Sequence, residues 1–170
     1  MPRLQKRTFK LIEVLKCCNN AVRIGAEVGV QFGKNARSML EAFPELQLIL
    51  VDSYNDNTFQ HATHTAQQAR DIATVALASF DSRAWWLVMP SVEAAELVDD
   101  GSLDYAFIDA GHGYKDVRAD LEAWTPKIKL GGVLAGHDYS SRFRGVQRAV
   151  DKRFGKIIRQ RWGDLWWVLL

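Results

Sequence analysis

Glu27 and Gly29 follow one apolar run of the sequence, Asp52 a second, Ser91 a third, Asp109 a fourth and the pair His137-Asp138 a fifth. Each residue taken alone reads as a helix or turn cap. Five polar run-ends together read as one site, because in a parallel sheet ligands bind beyond the carboxyl ends of the strands. Two of the ends carry acid with imidazole. Asp109 and His112 stand three apart in "DAGH", and His137 and Asp138 are adjacent in "GHD". Oxygen and imidazole donors converging from neighbouring strand ends suit a divalent cation such as Mg²⁺ or Mn²⁺, which lowers the pKa of a coordinated hydroxyl. The plainer alternative is a histidine bonded to a loop carbonyl and an Asp109 that caps the next helix.

The stretch "AEVGVQFGKNARSML", Ala26 to Leu40, passes from a buried strand into an amphipathic helix. Such a joint usually cradles a phosphate on the N–H groups of the helix start. Here it reads Glu27-x-Gly29-x-x-x-Gly33 rather than G-x-G-x-x-G, and a carboxylate at the strand end repels a pyrophosphate. Asp52 comes 23 residues after Gly29, near the distance at which an acid on the second strand reaches a ribose over the first turn. Two ribose hydroxyls can donate to one carboxylate. A cofactor with a ribose, an adenine and a cationic amino-acid part in place of a pyrophosphate meets these demands, and S-adenosylmethionine is such a molecule.

The elements that must position these residues are legible as an alternation. Strands are expected at Val22 to Val28, Leu46 to Val51, Trp85 to Met89, Tyr105 to Ile108 and Gly132 to Ala135. Between them "NARSMLEAF", "TAQQARDIATVALASF", "SVEAAELV", "YKDVRADLEAW" and "RGVQRAVDKRF" have helical patterning, and "MPRLQKRTFKLIEVLKCC" reads as a first amphipathic helix. Strand–helix alternation with continuous apolar strands predicts an α/β parallel sheet covered on both faces. The tail segments "KIIRQRW" and "DLWWVLL" lie too close in sequence for anything but an antiparallel hairpin. The loop from Ser53 to Thr63 is the longest irregular piece and is expected over the site.

Composition narrows the class further. A chain of 170 residues with net charge +2 is expected to be one domain, 1–170, with an N-terminal helix over 1–20 and a core of sheet and helices over 21–170. The adjacent Cys17 and Cys18 form no metal-binding spacing and make poor partners for a structural disulfide, so a cytoplasmic location is expected. No apolar run approaches membrane-spanning length, and neither a secretory nor a mitochondrial leader matches the start. The pairs Trp85-Trp86 and Trp166-Trp167 suggest a homo-oligomer if one ring of each pair points outward; the alternative is that helices cover both faces.

With these residues in view, the chain resembles the class I S-adenosylmethionine-dependent methyltransferases. The ordered run "FIDAGHGYKDVRADLEAW…GGVLAGHDY" resembles the small-molecule O-methyltransferase branch related to macrolide and catechol O-methyltransferases (methyltransferase-24-like). The resemblance runs from Ala21 to the C-terminus. It implies a Rossmann-like, doubly wound, seven-stranded sheet, parallel except for an antiparallel C-terminal hairpin strand. It implies that Glu27, Gly29 and Gly33 form the cofactor turn, that Asp52 holds the ribose, and that Ser91 lies near the adenine. It further implies that Asp109 borders the cofactor and, with Asp138, holds a metal, and that His112 is the base. His137 stands where the catechol-type pattern has an acid and is a candidate third ligand. Only about one helix precedes the first strand, so the lid carried by many relatives is expected to be missing.

The expected reaction is methyl transfer to a hydroxyl of a small molecule. Three readings compete. A nicotinamide oxidoreductase lacks its G-x-G-x-x-G turn. A non-catalytic adenosyl-ligand module would not need the acid and histidines of the fourth and fifth strand ends. A nucleic-acid methyltransferase finds some support in Arg142, Arg144, Arg148, Lys152 and Arg153, a run that more often is a solvated helix face, but "DAGH" stands where the amino-methylating N-P-P-[YF] motif would be.

Overall fold

In the computed structural model, which describes residues 6–18, 21–57, 61–158 and 160–170, the expected alternation is carried through the chain. The strands are β1 (Ile24–Val28), β2 (Gln47–Val51), β3 (Ala84–Leu87), β4 (Leu103–Ile108), β5 (Ile128–Gly136), β6 (Gln160–Trp162) and β7 (Leu165–Leu169). The helices are α1 (Lys6–Cys18), α2 (Lys34–Ala42), α3 (Ala66–Leu77), α4 (Ser91–Glu96), α5 (Tyr114–Trp124) and α6 (Arg144–Phe154). In the sheet the strand order is β3-β2-β1-β4-β5-β7-β6. β1 to β5 pair in parallel, whereas β7 runs antiparallel to both β5 and β6. The order turns at β1 and β4, whose carboxyl ends therefore open a crevice.

Two apolar layers cover the sheet. On one face Ala26, Val28, Ala106, Ile108 and Trp166 pack with Ala94 of α4, Val117, Leu121 and Trp124 of α5 and Val146 and Val150 of α6. On the other, Leu48, Leu50, Tyr105 and Phe107 pack with Leu11 and Leu15 of α1, Met39 and Leu40 of α2 and Ala73 and Leu77 of α3. Every residue of β4 is buried, as a central strand covered on both sides requires.

Several boundaries differ from the expectation. β1 starts at Ile24 rather than Val22, and β5 starts four residues before Gly132 because Ile128 pairs with Leu103 before a register shift. In the segment "KIIRQRW", Ile157 closes a 3₁₀ turn after α6, Gly155–Ile157, and β6 takes in Gln160–Trp162; residue 159 lies outside the described residues. "TAQQARDIATVALASF" divides into α3 and a 3₁₀ turn, Ala78–Arg83. Residues 1–5 of the first predicted helix and 58–60 of the long loop lie outside the described residues.

The tryptophan pairs behave differently from one another. On β3, Trp85 is 60% exposed while Trp86 packs against the core. On β7, both rings are covered, Trp166 in one apolar layer and Trp167 against the other, because that strand lies inside the sheet.

Candidate active site

Ladder hydrogen bonds carry each site residue past the end of its strand. Gly29 N–H donates to Val51 O at 2.8 Å, Asp52 N–H to Leu87 O at 3.4 Å, Asp109 N–H to Val28 O at 2.7 Å and His137 N–H to Ile108 O at 3.1 Å. The sheet therefore sets the spacing of Gly29, Asp52, Asp109 and His137 directly. Backbone conformations with positive φ concentrate at the same edge: Gln31 at 51°, Tyr54 at 43° and Asp138 at 58°, which for non-glycine residues is a strained state held by its surroundings. Gly29, at φ 96°, admits no side chain, because a Cβ would lie 2.2 Å from Asp109 O.

Asp52 organises the joint. Its Oδ2 accepts from the N–H groups of Val30 (3.0 Å) and Gln31 (2.9 Å), and its Oδ1 accepts from Tyr54 N–H (2.9 Å). A carboxylate offers about four lone-pair sites, so roughly one is left for a ligand hydroxyl. The Tyr54 hydroxyl donates to Gln31 O at 2.8 Å, which closes the start of the long loop onto the joint. Further along that loop, the His61 and His64 rings stand edge-on to Phe32 at 4.9 and 5.2 Å. Tyr54 and His61 thus bring the two described ends of the loop beside the β1–α2 turn.

Glu27 is 2% exposed; the backbone N–H of Ala36 donates to its carboxyl group, and so does Asn35 Nδ2 at 2.9 Å. Burial, opposed by those bonds, pushes its pKa up to about 8. Asn35 Oδ1 is buried without a partner, and a protonated Glu27 supplies the kind of donor it lacks. Gly33 is the residue before α2, in the left-handed region, with Leu77 and Ala73 of α3 against the place of its absent side chain. The Ser91 hydroxyl accepts from Trp124 Nε1 at 2.9 Å and also bonds to Asp120, whose pKa burial raises to about 6. That side chain fastens α4 to α5.

The acid–imidazole cluster forms as the spacing suggested. Asp109, His137 and Asp138 each present a donor atom, all within 4.8 Å of one another. His112 Nε2 lies 2.7 Å from Asp138 Oδ2, and His137 Nδ1 lies 3.1 Å from Asp138 Oδ1. The bond to Asp138 raises the pKa of His112, with burial opposing. Burial would raise Asp138, but the two histidines outweigh it and hold it well below the usual carboxylate range. Burial takes Asp109 up to about 6 against the pull of Arg7 and His137. The loop carrying His112 packs closely on α6, where a Cβ at Gly145 would meet His112 O at 2.4 Å. The Phe143 ring lies 4.5 Å from the His112 ring.

Sequence reasoning missed Arg7. Its Nη1 lies 2.9 Å from Asp109 Oδ2 and 3.4 Å from His137 Nδ1. A signal was present: Arg7, Leu11 and Leu15 follow at i, i+4 and i+8, so a charge extends the buried row of α1. Also missed was Asp104 at the opposite edge, which accepts from the N–H groups of Arg23 (2.7 Å) and Ile24 (2.9 Å) and pairs with Lys129 (3.0 Å). The basic run after β5 rests partly on rings, with Arg148 over Tyr114, Arg142 over Phe143 and Arg153 over Phe154 at 4.5, 5.4 and 5.4 Å.

Known proteins agree with this architecture. Residues 26–139 match the family described as "Methyltransferase domain". The fold is similar to that of CalS11, a TDP-rhamnose 3'-O-methyltransferase of calicheamicin biosynthesis, with TM-score 0.67, 15% identity, and coverage of 98% of this chain and 81% of that one. It is similar to the cofactor-bound Rv0187 from MTB (TM-score 0.71, 15% identity, 99% and 83% covered) and to a methyltransferase from Geobacter sulfurreducens (0.67, 14%, 97% and 78%). A curated relative, protein y4gI of Sinorhizobium fredii (strain NBRC 101917 / NGR234), is 40% identical over 53 residues, which are 31% of this chain; the match spans only 6% of that protein's length. Among the described residues no helix is long and apolar enough to cross a membrane. With two thirds of its length under the family match and the strand-end site in place, the chain belongs to the methyltransferase-domain family.

Proposed function

We propose that this protein transfers the methyl group of S-adenosylmethionine to a hydroxyl of a small molecule, with His112 as the base. The observation that carries the reading is the His112–Asp138 pair at 2.7 Å, set beside Asp109 at the mouth of the β1–β4 crevice with the His112 side chain 44% exposed. Asp138 engages Nε2 and fixes the ring, which leaves Nδ1 to receive the acceptor's proton. In the step, the acceptor oxygen bonds to the methyl carbon, the sulfur–carbon bond breaks to give a neutral thioether, and the hydroxyl proton passes to His112. Positioning supplies much of the rate.

The cofactor is expected over the β1–α2 joint. Glu27 and Gly29 would face its methionine part, Gly33 begins the helix beneath it, and Asp52 has one acceptor site for a ribose hydroxyl. The hydroxyl of Ser91 is engaged by α5, so that position would serve the adenine as part of the pocket wall at the end of β3. Asp109 would stand between cofactor and acceptor.

The donor set of Asp109, His137 and Asp138 fits a divalent cation in kind and spacing, since two carboxylates and one imidazole suit Mn²⁺ or Mg²⁺. Such an ion, when bound, polarises an oxygen as a Lewis acid. The test of the reading is transfer of a labelled methyl group across a panel of phenols, sugars and hydroxylated natural products. His112→Ala is expected to lower turnover by about 10²- to 10⁴-fold without changing cofactor affinity. Undiminished turnover at neutral pH would reject the base, and label appearing only in RNA or DNA would reject the acceptor class.

A further inference from the structure

Arg7 sets a positive charge against the acid–imidazole cluster. One guanidinium nitrogen bonds to Asp109 Oδ2 at 2.9 Å and lies 3.4 Å from His137 Nδ1, thereby touching two of the three candidate ligands. A divalent cation such as Mg²⁺, bound to the same Asp109 oxygen at about 2.0 to 2.1 Å, would lie no more than about 5 Å from that nitrogen. At this separation the ion and the guanidinium repel, and both draw on the charge of the same Asp109 carboxylate. The His137 ring faces a similar choice. Its Nδ1 must carry a proton to donate to Asp138 Oδ1 at 3.1 Å, and must present a lone pair to accept from Arg7 or to ligate a metal.

The helix that carries Arg7 is anchored by its apolar row. Leu11 and Leu15 of α1 are fully buried in the layer against Leu48, Leu50 and Phe107, which holds the body of the helix in place. Arg7 sits in the first turn with a side chain 28% exposed, in reach of solvent.

We propose that Arg7 and a divalent cation are mutually exclusive occupants of the Asp109–His137–Asp138 donor set, and that α1 thereby carries a built-in competitor that sets the metal affinity of the site. This rests on the metal reading above. Without metal, the guanidinium neutralises Asp109 and keeps the donors together. When metal enters, Arg7 leaves.

The experiment is a Mn²⁺ titration of the cofactor-free full chain, followed by the electron paramagnetic resonance signal of the free ion. It compares wild type, Arg7→Gln and Asp109→Asn. Arg7→Gln is expected to bind Mn²⁺ roughly tenfold tighter or more, since a neutral amide keeps the hydrogen bond but not the charge. Asp109→Asn is expected to lose the site. Equal affinities in wild type and Arg7→Gln, with binding lost in Asp109→Asn, would overturn the competition and leave the metal reading standing. No Mn²⁺ binding in any of the three would overturn the metal reading, and the competition with it.

Discussion

Replacing Glu27 by glutamine is expected to stabilise the cofactor-free protein at neutral pH and to remove most of one proton's worth of pH dependence. The carboxyl is 2% exposed, and burial outweighs the hydrogen bonds from Asn35 and from the Ala36 backbone N–H to lift its pKa from 4.5 to about 8. A raised carboxyl pKa contributes stability that is fully present below the unfolded value and is lost as pH rises through the folded one. Between pH 4.5 and 8 the unfolded chain is ionised at this residue while the folded chain holds its proton. Each pH unit in that window costs about 1.4 kcal/mol, so at pH 7.5 the penalty is about 4 kcal/mol. Glutamine has no proton to hold. Its carbonyl can accept from Asn35 Nδ2, and its amide can donate to Asn35 Oδ1, which is buried without a partner. Urea unfolding of both proteins at pH 4.5, 5.5, 6.5 and 7.5 gives the difference directly. The gap should open with pH toward about 4 kcal/mol in favour of the variant. Parallel stability curves, with a constant gap across the series, would refute the claim that Glu27 is protonated in the fold.

Other outcomes follow from neighbouring observations. Gly29→Ala should cost about 2 kcal/mol or more, because a Cβ meets Asp109 O at 2.2 Å in a positive-φ conformation, and calorimetric unfolding reads it. At the opposite edge Asp104→Ala should cost about 2–3 kcal/mol through the lost bonds to Arg23, Ile24 and Lys129, measured by urea unfolding. Those bonds outweigh burial and lower the pKa of Asp104, so its contribution is present above the ordinary Asp value and lost on acidification; Asp104→Asn should narrow the stability difference between pH 7 and pH 3. With excess EDTA, turnover should fall and recover on adding Mg²⁺ or Mn²⁺, whereas full activity in EDTA would reject a metal role.

Strand–helix alternation and the polar strand ends made the fold and most of the candidate site legible in the sequence. The five parallel strands fall close to the apolar runs because β1, β2, β4 and the second half of β5 are covered on both faces, so composition alone marks them. The edges were less legible. "KIIRQRW" is apolar at Ile157 and Ile158, yet Ile157 ends a 3₁₀ turn and the described pairing is at Gln160–Trp162, because strand limits at an edge are set by hydrogen-bonding neighbours rather than by hydropathy. Asp109, His137 and Asp138 could be brought together from sequence because the ladder itself positions them. Arg7 could not, since its contact with Asp109 depends on how α1 docks 102 residues away in sequence. The three backbone bonds to Asp52 and the tie from Ser91 to Trp124 were equally hidden. Residue type offers a carboxylate or hydroxyl, and only the surroundings decide how much of it is already used.

S-adenosylmethionine is proposed to bind at the joint between β1 and α2, with Asp52 beside it. Isothermal titration of S-adenosylmethionine and of its demethylated product into the wild type, with NAD as the control and Asp52→Ala as the comparison, tests it most directly. Both sulfur compounds should bind and NAD should not, and Asp52→Ala should weaken binding by at least about 1.5 kcal/mol, through the lost ribose contact and the loosened turn at Val30, Gln31 and Tyr54. No binding of either sulfur compound, or binding untouched by Asp52→Ala, would contradict the account.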